Sequence, residues 1–169
     1  MVEAVEAGAA ASNARRIWTV EGFVEDRLTP ENGAVPMSPE EATGKLGAGA
    51  LSVLVLESGD EPAAVASRIH EFDAIVLRFP VFSDGRGFST ARLLRDRLGY
   101  RGEIRAEGHF LLDQIPLMLR VGFSSFAVTH GPTIARLQKG DLPAIALFTQ
   151  PAWGEEKKAG ERAWTRRAG

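Results

Sequence analysis

The sequence predicts an α/β fold in which the strands of a parallel sheet alternate with helices. Short apolar runs such as LSVLVLE (51–57) and AIVLRFPVF (74–82) have the length and composition of buried strands. Segments with helical spacing of apolar residues separate these runs, and glycine or proline marks many of the boundaries. Because this alternation is typical of parallel sheets covered by helices, we expect either a doubly wound sheet or part of a (β/α) barrel.

The length and composition of the chain are those of one soluble globular domain. Its 169 residues suffice for one core, and an apolar fraction of 44% with a net charge of −2 is ordinary for that class. The charge gives no indication of a nucleic-acid partner, and no stretch approaches membrane-spanning length. We therefore expect a cytoplasmic protein with a disordered tail at 1–14, one α/β domain at 15–153 and a charged tail at 154–169.

The first part of the domain predicts a strand and a short helix. Ile17–Val24 carries β-branched and aromatic residues, as an edge strand or hairpin arm does, and TPENG (29–33) has turn chemistry. Ser38 is placed to cap a helix, with Glu41 at the capping-box position. The glycines that follow predict that this helix is short.

The regular alternation begins at Leu51. Buried or partly buried strands are predicted at 51–57, 74–82, 103–106, 125–129 and 144–148. Helices are predicted at 61–72, 91–98, 111–121 and 132–138, with Gly122 as the stop signal of the third.

The predicted functional surface lies beyond the carboxyl ends of the strands, because both architectures place their sites there. The segment SDGRGFS (83–89) follows a predicted strand, and its glycines let backbone amides approach a ligand. The planar guanidinium of Arg86 can bind an oxyanion such as phosphate, sulfate or sulfite. The predicted anion-binding residues are Arg78, Ser83, Gly85, Gly87, Ser89 and Gln114. The predicted catalytic residues are Asp84, Arg86 and Asp113.

These residues also have structural interpretations. Asp84 and Gly85 are ordinary turn residues, and Asp113 suits the first turn of a helix. Arg78 lies within an apolar run and needs a partner once buried, for which Asp84 is the nearest candidate. The sequence leaves both interpretations open.

Several classes of site are excluded or unsupported. The chain has no cysteine, which excludes disulfides, thiolate-bound clusters and thiol nucleophiles. His109 and His130 lack a second ligand at metal-binding spacing, and GRGFST (85–90) lacks the third glycine of a dinucleotide fingerprint. We therefore predict neither a metal nor a cofactor.

Two further surfaces are predicted. A sheet of four or five strands leaves an edge or a face uncovered, which predicts a homodimer. The expected contact is Ala144–Trp153, because it combines strand-like apolar residues with an aromatic residue. The alternative is that this segment is the last core strand of the same chain. A solvated basic face, or a patch for an acidic partner, is predicted from Arg92, Arg95, Arg97, Arg101 and Arg105.

One long stretch of the chain resembles a known family. VLRFPVFSDGRGFSTARLLRDRLGYRGEIRAEGHFLLDQIPLMLRVGFSSFAV is similar to an uncharacterised bacterial family labelled as oxidoreductases of sulfite reduction, over Asp73 to about Val128 and more loosely over Trp18–Phe148. The matching positions are Arg78, Phe82, Asp84, Gly85, Arg86, Gly87, Arg92, Asp113, Gln114, Arg120 and Gly122. The chain departs from the family in Pro116 and in Val121, which stands where the family has cysteine.

The resemblance implies a pathway, since the family's members are encoded beside sulfite reductase and other sulfur-assimilation genes. It implies an accessory or assembly protein of assimilatory sulfite reduction, with sulfite reductase or a related enzyme as partner and a small oxyanion as ligand. The alternative is a small anion-handling enzyme that uses Asp84, Arg86 and Asp113. The lack of cysteines favours the accessory role, because sulfite reduction needs an iron–sulfur cluster.

Overall fold

The computed structural model describes residues 15–43 and 51–143, which form a mixed sheet of seven strands. The strands are β1 (Arg16–Thr19), β2 (Gly22–Val24), β3 (Ala34–Met37), β4 (Leu51–Leu56), β5 (Ala74–Phe79), β6 (Glu103–Gly108) and β7 (Ser125–Val128). Their order across the sheet is β2-β1-β7-β6-β5-β4-β3. Neighbours from β3 to β7 are parallel, whereas β1 is antiparallel to both β2 and β7. The α/β fold with a mostly parallel sheet is therefore confirmed.

Helices connect the parallel strands. A 3₁₀ helix (Pro62–Glu71) joins β4 to β5, α1 (Arg86–Asp96) joins β5 to β6, α2 (Ile115–Val121) lies between β6 and β7, and α3 (Gly131–Gln138) follows β7. Short 3₁₀ turns occupy Pro30–Asn32, Glu41–Thr43 and Leu112–Gln114. Within the part of the chain that the structure describes, no helix has the length and apolarity needed to cross a bilayer.

The main core lies on one face of the sheet. Strands β3 to β7 are adjacent in chain order without reversal, and right-handed crossovers in one direction put their helices on the same face. Leu54 and Ile75 on this face pack in one cluster with Ile69, Leu94 and Met118 of the helices. The order of the parallel strands has no reversal of the kind that marks the switch point of a doubly wound sheet.

The opposite face of the sheet carries a smaller apolar cluster and a buried charge. Leu28, in the segment after β2, packs on Ala34, Val53 and Val76. Beside them Arg105 is only 2% exposed and pairs with Asp26 (2.6 Å). This face is therefore closed partly by a loop segment rather than by a helix.

Several local predictions are confirmed. The segment from residue 17 to 24 forms the β1–β2 hairpin, and Ser38 and Glu41 make the reciprocal bonds of a capping box before a single 3₁₀ turn. Gly122 ends α2 with a left-handed φ of 109°. Pro116 lies in the first turn of α2, where its missing N–H breaks no helical bond.

Some boundaries differ from the prediction, and one strand was not predicted. The strand predicted at 74–82 ends at Phe79, because Pro80 has no N–H with which to continue the ladder. The helix predicted from residue 91 begins at Arg86. β3 was not predicted, since Pro36 breaks its pattern, but a proline is tolerated on an edge strand. The predictions for 1–14, 144–148, Ala144–Trp153 and 154–169 lie outside the described residues.

The predicted basic face is wrong at two of its five positions. Arg92, Arg97 and Arg101 are exposed, whereas Arg95 and Arg105 are 3% and 2% exposed. The Arg95 guanidinium donates to the carbonyl oxygens of Gly122, Tyr100 and Gly102 at 2.7–3.0 Å. A sequence pattern does not reveal such acceptors, because they come from two separate loops, the one between α1 and β6 and the one after α2.

Candidate functional site

The carboxyl ends of β4 to β7 meet at one edge of the sheet, and the loops that leave them carry most of the predicted site residues. Asp84 lies in the loop after β5 and Arg86 is the first residue of α1, while Asp113 and Gln114 lie in the 3₁₀ turn after β6. The Gln114 side-chain amide donates to the backbone oxygen of Phe82 at 2.8 Å. This bond ties the two loops together, so these predicted residues share one edge of the molecule.

Asp84 is the most constrained polar residue of this edge. Its side chain is only 9% exposed and accepts hydrogen bonds from the Arg86 guanidinium (2.7 and 3.0 Å), from the Arg86 backbone N–H (3.1 Å) and from the hydroxyl of Ser58. Ser58 comes from the loop after β4. Asp84 therefore joins two loops and occupies the amino end of α1.

These contacts fix the charge state of the pair. The Arg86 guanidinium, the Ser58 hydroxyl and the Arg86 backbone amide hold the pKa of Asp84 well below its usual value of 3.8. Asp84 in turn raises the pKa of Arg86. The carboxylate is consequently ionised at neutral pH, and two nitrogens of the arginine fork are already bonded to it.

The glycines of the predicted anion loop differ in role. A Cβ added at Gly87 would lie 2.5 Å from the Phe79 ring, so Gly87 is required for the packing of α1 on β5. A Cβ at Gly85 would meet nothing within 4 Å. Ser83 and Ser89 are exposed and make no hydrogen bond through their side chains with the described residues. Close packing thus explains Gly87 without a ligand.

The two predicted residues after β6 behave differently from each other. Both ends of the Gln114 amide are used, since its oxygen also accepts the Leu111 backbone N–H at 2.9 Å. Asp113 lies in the 3₁₀ turn Leu112–Gln114, is exposed, and makes no ion pair within the described part of the chain. Gln114 therefore holds the loops together, while Asp113 is accessible.

Arg78 does not pair with Asp84. Along β5 the side chains alternate, and Arg78 points away from the helix-covered face of the sheet. Its guanidinium bonds Glu57 at 2.7 Å, with both side chains about half exposed. The expectation of a buried arginine was wrong because the end of this face is open.

Two of the three histidines, His109 and His130, line a pocket at this edge, where both follow the carboxyl ends of predicted strands. This pocket lies between the exits of β6 and β7 and has a volume of about 190 Å³. Its lining residues are Phe82, Gly108, His109, Phe110, Leu111, Ala127, Val128, Thr129, His130 and Thr133. Nδ1 of His130 lies 2.9 Å from the Thr133 hydroxyl. The structure thus brings together two histidines that are 21 positions apart in the sequence.

Sequence reasoning also missed Glu57 and Ser58, although a usable signal was present. Both follow the apolar run of β4 directly, so the rule applied to the later strands also applies to them.

No cluster of three or more acidic or histidine side chains suited to a metal ion occurs in residues 15–43 and 51–143.

Comparison with known proteins places the chain in a family. No curated protein and no solved structure matches it. The model of a family described as "Bacterial protein of unknown function (DUF934)" matches residues 53–159, which is more than half of the chain and includes the candidate site. The chain belongs to this family of bacterial proteins of unknown function.

Proposed function

We propose that the protein is an accessory or assembly protein of assimilatory sulfite reduction, acting in the cytoplasm in sulfur assimilation and cysteine biosynthesis. It binds sulfite reductase or a related enzyme of that pathway through the carboxyl edge of its sheet. The resemblance described above supports the pathway, and the chemistry of the edge supports binding rather than catalysis.

The observation that carries this proposal is an exposed apolar surface at the carboxyl edge. Val81, Phe82 and Leu111 are 52%, 54% and 46% exposed. Phe82 and Leu111 line the same pocket, and Val81 is the neighbour of Phe82 in the chain. These three exposed residues are here called the edge patch. Exposed apolar patches of this kind mark protein interaction sites, and aromatic residues are enriched at interface centres.

The polar residues of the edge support the same conclusion. A general acid or base works best with a pKa near the operating pH, whereas Arg86 and Ser58 keep Asp84 ionised. The Arg86 fork and the Gln114 amide are both used in bonds within the protein. These contacts give the loops a fixed shape, which lowers the cost of binding a partner.

A small anion-handling enzyme remains the second candidate. Arg86 is 65% exposed beside the amino end of α1, and the accessible Asp113 lies at the same edge. An oxyanion at the Gly85–Ser89 amides would have to displace the Asp84 carboxylate, so its affinity is expected in roughly the millimolar range. Calorimetry with sulfite decides this point, since equal heats for the parent and Arg86→Ala would remove Arg86 from any anion site.

The accessory role is tested by recovering the partner from cells starved of cysteine. Tagged parent protein is expected to retain sulfite reductase, and Phe82→Ala is expected to lose most of it. Val20→Ala is the matched control, because Val20 is 69% exposed in the distant β1–β2 turn. Failure of the parent to retain sulfite reductase, or equal retention by Phe82→Ala, would contradict the proposal.

A further inference from the structure

We propose that the pocket between the exits of β6 and β7, here called the exit pocket, binds a small organic anion. Its lining includes the polar residues His109, His130 and Thr133 and the apolar residues Phe82 and Phe110. This ligand goes beyond the proposed accessory role and does not depend on which partner binds the edge patch.

The size of the exit pocket sets the size of the ligand. Its volume is about 190 Å³. A cavity of roughly 150 Å³ accommodates a molecule of the size of benzene. A ligand with a ring or a short chain and one charged group therefore fits, whereas a lone water or a single atomic ion would leave most of the space empty.

The polar lining selects the sign of the ligand's charge. The polar side chains that line the pocket are two imidazoles and the hydroxyls of Thr129 and Thr133. All of them can donate a hydrogen bond, and no carboxylate belongs to the lining formed by the described residues. A cation would find no opposite charge there. An anionic oxygen finds up to three donors, because one hydrogen is already used in the bond between His130 and Thr133.

The two histidines are held in place by different contacts. The His130 ring is fixed through Nδ1 by the Thr133 hydroxyl, which leaves Nε2 as its second polar atom. The backbone N–H of His109 donates to the Phe79 oxygen at 2.8 Å, directly after the left-handed Gly108. The His130 ring and the His109 backbone are therefore set within the protein, and anion binding has to order only the side-chain torsions of His109.

The apolar part of the lining accounts for the organic portion of the ligand. Phe82, Phe110 and Leu111 come from the loops after β5 and β6, and Ala127 and Val128 come from the end of β7. Burying a ring or an alkyl chain among these side chains adds affinity that an inorganic ion cannot obtain. Pockets with an apolar wall and a few convergent polar groups are the usual form of small-molecule sites.

The chain offers a direct assay because it contains only three histidines. His70 lies on the 3₁₀ helix Pro62–Glu71, beside Gly99, and does not line the exit pocket. Benzenesulfonate is titrated into isotope-labelled full-length protein while the imidazole C–H signals are recorded by NMR. The signals of His109 and His130 are expected to shift with one common saturation curve, and the His70 signal is expected to stay in place.

Charge, ring and side chains are then varied separately. Benzylamine keeps the ring but carries a positive charge, so it is expected not to shift these signals. Sulfate lacks the ring and is expected to bind at least about threefold more weakly than benzenesulfonate. His109→Ala and His130→Ala should each weaken benzenesulfonate binding roughly three- to tenfold, as the loss of one hydrogen bond predicts, and His70→Ala should not.

Opposite results would overturn the inference. Equal shifts at all three histidines would indicate non-specific binding, and binding of benzylamine as tight as that of benzenesulfonate would refute the anion preference. Unchanged affinity in both folded variants, His109→Ala and His130→Ala, would exclude the histidines as ligands. Phe82 and Leu111 belong to both surfaces, but the histidine variants leave the edge-patch residues in place and benzenesulfonate binding is measured without the partner, so the two proposals fail separately.

Discussion

Replacing Gly108 with alanine tests how tightly the structure holds the site loop after β6. Gly108 has a φ of 103°, and a Cβ there would lie 2.4 Å from the backbone oxygen of Phe79. That oxygen belongs to β5 and accepts the His109 N–H, so it cannot rotate away as a side chain would. Backbone strain should cost about 1–3 kcal/mol and overpacking about 1–3 kcal/mol. Together they predict that Gly108→Ala lowers the free energy of unfolding by about 2–6 kcal/mol.

Gly22→Ala is the matched control for this experiment. Gly22 has a φ of 124°, and a Cβ there would meet nothing within 4 Å, so only the strain of about 1–3 kcal/mol is expected. If Gly108→Ala loses about 2 kcal/mol more unfolding free energy than the control, its urea midpoint should lie about 1 M below that of Gly22→Ala. Equal losses in the two variants would refute the argument that the Phe79 oxygen excludes a side chain at this position.

Two further predictions concern buried and ionised groups. Arg95→Met should lose about 2–4 kcal/mol of stability in thermal unfolding, because it leaves the carbonyls of Gly122, Tyr100 and Gly102 without their donor. The exposed control Arg92→Met should change stability by at most about 0.5 kcal/mol. Similar losses in both variants would contradict the burial of Arg95. The pKa of Asp84 is lower in the folded state than its usual value of 3.8, so the ionised carboxylate stabilises the fold above that value and this contribution is lost as the pH falls below it. Urea midpoints measured from about pH 5 to about pH 2 should therefore fall more steeply for the parent than for Asp84→Asn, and parallel curves would show that Asp84 does not stabilise the fold.

Much of the sheet was predictable because its signal is local. The runs of β4, β5 and β7 are apolar enough to stand out, and β6 alternates apolar with charged residues. The strand–helix alternation predicts their parallel order. β3 was not predictable in the same way, because it has four residues and includes Pro36. The strand order across the sheet also depends on long-range pairing, such as that of β1 with β7, which no local pattern encodes.

The place of the candidate residues in the fold was predictable, but their contacts were predictable only in part. The rule that strand ends converge predicted the shared edge of Asp84, Asp113 and Gln114. The partners of the charged side chains could not be predicted, because they are distant in the sequence. Arg78 pairs with Glu57, 21 positions earlier, and Asp84 bonds Ser58, 26 positions earlier. The burial of Arg95 depends in the same way on carbonyl groups from distant turns.

The affinity of the purified protein for purified sulfite reductase tests the central proposal most directly. Isothermal titration of the full-length chain into the reductase is expected to give saturable binding. Phe82→Ala is expected to raise the Kd by about tenfold or more, as the truncation of an aromatic interface anchor does. Val20→Ala should bind as the parent does, since Val20 lies in the β1–β2 turn. The absence of any heat of binding for the parent, or an equal Kd for parent and Phe82→Ala, would contradict the proposed role of the edge patch.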